Sequence, residues 1–243
     1  MKKKIVFTTL VILVLLFAPR IGTLVATYLN PYFSSIDPDK IFMWGIVHHI
    51  VQALVPVLLV LMWKKELFRD WGFTIGDKKL GLKWIGWFTL IWIVIYAGIN
   101  TVNVLNHNIP ETYYDVTNTR NLFGELFFRG VIVGPSEEIL FRSFAIGLLL
   151  AAGYTKTSDI FGFKITTAGI IAAVLFALAH IGFSFYPFTV YYFDIVQVVT
   201  ALGFGLLYAI VLHQTKSIYY PMIIHSISDV IPVISLYLLH VMI

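Results

Sequence analysis

Residues 122–153 read LFGELFFRGVIVGPSEEILFRSFAIGLLLAAG, an apolar run that nonetheless carries Glu125, Arg129, Glu137, Glu138 and Arg142. A helix needs about 20 mostly apolar residues to cross a bilayer. As one straight helix this stretch would measure about 48 Å at about 1.5 Å per residue. The hydrocarbon core is about 30 Å thick, so the helix is expected to tilt, break or begin at the interface. Gly134-Pro135 marks the expected break, because Pro135 lacks a backbone donor and crowds the preceding turn. A restart there puts Glu137 and Glu138 at the head of a new helix, where acids are favoured.

The chain around this stretch is equally apolar. Of 243 residues, 59% are hydrophobic and 12% charged, and the mean hydropathy is +0.86. A soluble domain has about 45–50% apolar and about 25% charged residues. The fold expected is all-α: a polytopic integral membrane bundle of about seven transmembrane helices, within a range of six to eight. The spans are expected near 5–28, 41–63, 84–105, 122–153, 165–183, 190–213 and 218–241. No small-residue cleavage site follows Pro19-Arg20, so the first span is expected to be retained. The basic residues Lys64, Lys65, Arg69, Lys78, Lys79 and Lys83 lie between the second and third spans, Lys156 and Lys164 after the fourth, and Lys216 after the sixth. By the positive-inside rule the N-terminus is cytoplasmic and the C-terminus extracytoplasmic. Segment 64–83, with Leu67, Phe68, Trp71 and Phe73 among its charges, is expected to lie along the cytoplasmic interface. The net charge of +4 sits in loops rather than in one stripe, which suits orientation in a bilayer and argues against a nucleic-acid partner. The absence of Cys excludes disulfides, thiolate metal sites and a Cys nucleophile.

Ionisable groups inside a bundle are expensive, and each is a functional hypothesis by default. Glu125 with Arg129, and Glu138 with Arg142, are four apart and suited to pairing within a helix; the first pair reads as local structure. One arginine cannot neutralise two adjacent acids equally. Glu137 points about 100° away from Glu138, free to face a cavity. His180 lies four residues after Phe176 on the fifth span, and His225 four before Asp229 on the seventh. Either set alone is compatible with interhelical glue; together they can surround one wet pocket. Asp194 is a further candidate, and His48, His49 and His213 are lesser ones. Neither Gly-x-Ser-x-Gly nor His-Glu-x-x-His is present. What remains is an acid to deprotonate water, a histidine to position it and polar groups to hold an oxyanion: equipment for amide hydrolysis without a covalent intermediate.

Glu137-Glu138-x-x-x-Arg142, then Phe176-x-x-x-His180, then His225-x-x-x-Asp229, in order on successive expected helices, resemble the CPBP family. These are the CAAX prenyl endopeptidases and bacteriocin-processing proteins, also called the Abi family. Leu202-x-x-Gly205 and Thr215-Lys216-Ser217-Ile218-Tyr219 resemble a degenerate form of the family's stretch ahead of the third motif. The likeness covers about 120–230. It implies an all-helical, glutamate-dependent intramembrane endopeptidase with residues 122–243 as the catalytic core, forming one structural domain with N-terminal helices 1–121. Glu137 would activate water, His180 would help hold it, Glu138 and Arg142 would shape the site, and His225 with residue 229 would stabilise the oxyanion. The family usually has Asn at that last position. Asp229, when ionised, only accepts hydrogen bonds; it then orients His225 as the donor, or is itself protonated.

No cofactor is expected, although Glu137, His180 and His225 would suffice as three zinc ligands with an open fourth position; the missing zinc-helix spacing favours a metal-free mechanism. Partners expected are the lipid bilayer and a peptide or membrane-protein substrate, such as a small peptide precursor. The rival readings are an aspartyl protease pairing Asp194 with Asp229, a transporter with Pro135 in a broken helix, and a non-catalytic bacteriocin immunity or binding protein.

Overall fold

The structure, a computed structural model, describes residues 2–63, 71–112 and 114–242. In chain order these form α1 (Lys2–Leu29), α2 (Met43–Trp63), α3 (Lys78–Leu105), α4 (residues 119–151), α5 (Thr167–Leu178), α6 (Ile195–Thr215) and α7 (Tyr219–Met242). Two antiparallel hairpins flank α5, pairing β1 (Thr157–Ile160) with β2 (Phe163–Thr166) and β3 (Gly182–Phe185) with β4 (Phe188–Tyr192). Helices α1, α2, α3, α6 and α7 are each long and apolar enough to cross a membrane. The chain is a multi-pass, mostly helical membrane protein.

The long apolar stretch does not break at Pro135. From Thr119 to Ala151 the chain stays helical, with π-helical turns at Phe128–Val133 and Ile139–Ile146 on either side of the α-helical Gly134–Glu138. In a π turn each carbonyl pairs with the donor five residues on, so the wider register ahead of Pro135 absorbs the missing N–H that was expected to end the helix. Glu137 and Glu138 therefore sit mid-helix rather than at a helix head. The excess length is accommodated at the start of α4. Asn118 Oδ1 caps the N–H groups of Arg120 and Asn121, and Arg120 pairs with Asp39 at 2.8 Å on the exposed surface.

Helix α4 then runs through the middle of the bundle. Leu140, Phe144, Ala145 and Leu149 are fully buried against Val11 and Ala18 of α1, Ala168 and Ala172 of α5, and Ala209 of α6. Small residues let these backbones approach closely, which is how helices associate where lipid is as apolar as the core. Helix α4 comes close to α7 at Gly134, where a Cβ would lie 2.9 Å from Ser226 N and 3.0 Å from Met222 O. That contact sets the turn carrying Glu137 and Glu138 against the turn carrying His225. Helix α3 lies outside, with Trp87, Leu90, Ile91 and Val94 exposed on a lipid-facing surface. It is fastened to α7 by Trp92 Nε1–H to Ser228 O at 3.2 Å and by a two-way bond between Asn100 and Ser235.

Two expected spans need correction. Helix α5 has 12 residues, about 18 Å at about 1.5 Å per residue, too short for the span read at 165–183. The run at 190–213 contains a strand and becomes helical only at Ile195. Phe183, Phe185, Phe188, Val190, Tyr191 and Tyr192 raise the hydropathy of this region but are strand formers. Trp71, expected at the interface, turns inward: it is 3% exposed, packs on Phe144 at 5.7 Å, and its carbonyl accepts from Ser143 Oγ at 2.9 Å. Lys64, Lys65, Leu67, Phe68 and Arg69 lie outside the described residues.

Candidate functional site

The buried acid Glu138 links two helices. Its Oε2 is 3.1 Å from Arg142 Nε one turn on, and its Oε1 is 2.9 Å from His225 Nδ1 on α7. Arg142 is 1% exposed, and its terminal nitrogens meet no acceptor among the described residues. Aromatic faces surround it instead: the guanidinium carbon lies 4.4 Å from the ring centre of Phe176, 5.2 Å from Tyr208 and 5.9 Å from Phe141. A desolvated guanidinium gains from such rings. Phe176 also meets His180 edge-on at 4.8 Å and His225 at 6.0 Å. One ring thus braces the arginine and both imidazoles.

Glu137 is turned about 100° around α4 from Glu138 and reaches the far edge of the same His225 imidazole. Its Oε2 is 3.8 Å from His225 Nε2, and its Oε1 is 3.9 Å from His49 Nδ1 on α2. Its side chain opens on a cavity of about 700 Å³ that His180, His49, His48, Phe141 and Phe176 also line. His180 Nδ1 is 2.8 Å from the Phe176 carbonyl. A carbonyl only accepts, so Nδ1 carries the proton, and in the neutral ring Nε2 keeps its lone pair. Asp229 Oδ2 is 3.9 Å from His225 Nε2, completing a ring of three carboxylates around that imidazole.

Glu137, Glu138, Arg142, His225 and Asp229 are therefore gathered at the α4–α7 contact, and His180 shares the cavity with Glu137. Of the other candidates, His48 and His49 line the cavity, while Asp194, His213 and Glu125 do not. Asp194 is the cap of α6, accepting from Val196 and Gln197 N–H, and takes no part in an acid pair with Asp229. His213 lines a different pocket, beside Lys216 and Trp71. Glu125 pairs with Arg129 at 2.9 Å.

His49 and Tyr208 carry more of the geometry than their sequence context signals. His49 Nδ1 is 2.8 Å from Ser136 Oγ, which itself reaches Val133 O at 3.1 Å, and 3.9 Å from Glu137 Oε1. Tyr208 stacks on His225 at 4.8 Å and reaches Ser228 Oγ at 2.9 Å. The Ser228 hydroxyl donates to His225 O at 2.7 Å, so Tyr208 O–H is the donor between them. The signal available for His49 was an imidazole in an otherwise apolar span.

Of the three residues named as zinc ligands, Glu137 and His180 share the cavity and His225 has its Nδ1 engaged by Glu138; among the described residues no group of three or more His, Asp or Glu is placed to hold a metal ion.

Residues 119–231, which contain all six motif positions, match the family described as type II CAAX prenyl endopeptidase Rce1-like. The UPF0177 protein YxdF of Lactococcus lactis subsp. lactis (strain IL1403) is 30% identical over 149 residues, 55% of this chain and 71% of that protein. The chain belongs to the Rce1-like CAAX endopeptidase family. Membership assigns it to a family of membrane proteases, whose substrates lie in or at the bilayer. No solved structure matches the chain. His49 falls outside the stretch that defines the Rce1-like match.

Proposed function

We propose that the chain is a glutamate-dependent intramembrane endopeptidase acting on a small peptide precursor or a membrane protein. The observation that carries this reading is the Glu137 carboxylate, flanked by His49 and His225 and opening with His180 on one cavity. Water held by the His180 Nε2 lone pair gives a proton to Glu137 as its oxygen attacks the peptide carbonyl. The oxyanion is met by Nε2–H of His225 as the imidazolium, whose other N–H is engaged by Glu138. Glu137 then returns the proton to the leaving nitrogen as the C–N bond breaks. Glu138, Arg142 and Tyr208 hold His225 in place, and Asp229 orients its Nε2 edge. By the positive-inside rule the N-terminus is cytoplasmic.

The test compares peptides released by cells carrying the wild type, Glu137→Ala and His180→Ala. Precursors that are processed in the wild type and persist in both variants are expected. Unchanged processing in both would end the protease reading, and bacteriocin resistance surviving both would point to binding instead.

Two further outcomes follow on such a precursor. His49→Ala is expected to lower kcat about two- to fivefold, the effect of removing a polar neighbour that stands 3.9 Å from the carboxylate without a direct hydrogen bond, with little change in KM, because His49 addresses the carboxylate rather than substrate. Asp229→Asn adds an amide donor beside His225 Nε2 and is expected to keep hydrolysis at or above the wild-type rate.

A further inference from the structure

Of the four described arginines, Arg120, Arg129 and Arg142 each pair with a carboxylate, Asp39, Glu125 and Glu138 respectively. Arg20 has no carboxylate in ion-pair range among the described residues. It lies within the apolar helix α1 and lines the same cavity as Glu137 and His180. Its guanidinium sits 4.2 Å from the ring centre of Phe185 and 4.6 Å from that of Phe183, and one terminal nitrogen donates to Phe183 O at 3.2 Å. A guanidinium has five N–H donors in one plane, so these contacts occupy its face and a single donor. The remaining edge is the fork that binds a carboxylate through two parallel hydrogen bonds. A cation in a membrane span without an acid partner marks a functional position. Thr23, His48 and Gln52 line the cavity with it and offer further polar groups.

We infer that Arg20 is a substrate-binding residue that holds a carboxylate of the peptide while the scissile bond lies over Glu137. The inference rests on the protease reading. The carboxylate comes from the peptide's C-terminus or from an Asp or Glu side chain near the cleaved bond, and both satisfy the fork equally. Because the β3–β4 hairpin is clasped to α1 by the same guanidinium, an incoming carboxylate meets a site already ordered by Phe183 and Phe185.

The probes are synthetic peptides spanning the cleavage site of a precursor whose processing is lost in Glu137→Ala cells. They are made with a free C-terminus, with a C-terminal amide, and with the acidic side chains changed to Asn or Gln. Purified wild type and Arg20→Gln are assayed in phosphatidylcholine and in phosphatidylglycerol vesicles. Wild type is expected to favour the carboxylate form by about 10- to 100-fold in kcat/KM, chiefly through KM. Arg20→Gln should erase that preference, and Arg20→Lys should keep part of it. Loss of preference on amidation identifies the C-terminus as the source; loss on side-chain replacement identifies an acidic residue. Arg20→Gln slowing every probe equally would reduce Arg20 to a clasp for the hairpin, an effect that tracks vesicle charge would make it a lipid anchor, and an unaltered preference would leave it no role; each overturns the inference. Glu137→Ala cells that process normally bring down the protease reading and this inference together. An inactive Glu137→Ala beside an Arg20→Gln that keeps the preference brings down this inference alone.

Discussion

Glu137→Gln is expected to cut peptide hydrolysis by about a hundred- to ten-thousand-fold, the range over which a positioned general base acts. Gln keeps the shape and hydrogen-bonding reach of the side chain but cannot take a proton from water, so the loss should appear in kcat with KM nearly unchanged. Stability is expected to hold, since Glu137 is in no direct hydrogen bond with His49 or His225, at 3.9 and 3.8 Å. Unfolding of the purified variant in detergent gives the control. A Glu137→Gln protein that folds normally and still hydrolyses at more than a tenth of the wild-type rate would remove the general base from the mechanism. Glu138→Gln makes the informative contrast. It weakens the bond to His225 and the charge facing Arg142, so it should lower activity and stability together.

The motif residues were legible in the sequence because ionisable groups stand out in apolar spans and because their order resembles the three motifs of a known family. Spacing of four puts Glu138 beside Arg142 and His225 beside Asp229, and the one-residue offset sends Glu137 toward a different face. The contacts between helices were not legible. His49 meets Glu137 across 88 positions of sequence, and no local pattern links them. Tyr208 and Arg20 lie inside expected spans without a local partner in the sequence, and their orientation depends on how α6 and α1 pack. Pro135 misled for a related reason: the rule that proline ends a helix assumes α register, and the flanking π turns supply another. The β3–β4 hairpin was invisible to hydropathy because alternating aromatics, averaged over a window, look like a span.

Arg142→Met is expected to destabilise the protein by about 3–5 kcal/mol, the cost of stranding one partner of a buried ion pair. Glu138 is 0% exposed and would retain only His225 Nδ1 at 2.9 Å as a charged partner. The three rings around the guanidinium would also lose their cation. Packing and charge can be separated by a double-mutant cycle. If the uncompensated carboxylate dominates, Arg142→Met combined with Glu138→Gln should recover a large part of the loss, because the second change removes the stranded charge. If ring packing dominates, the two costs should add. Reversible unfolding in mixed micelles measures each variant. A single Arg142→Met variant within about 1 kcal/mol of wild type, where exposed ion pairs fall, would mean that the buried Glu138 carboxylate does not need Arg142 to compensate its charge. Partial recovery of stability in the double variant without recovery of hydrolysis is expected, since His225 would then be held by an amide rather than a carboxylate.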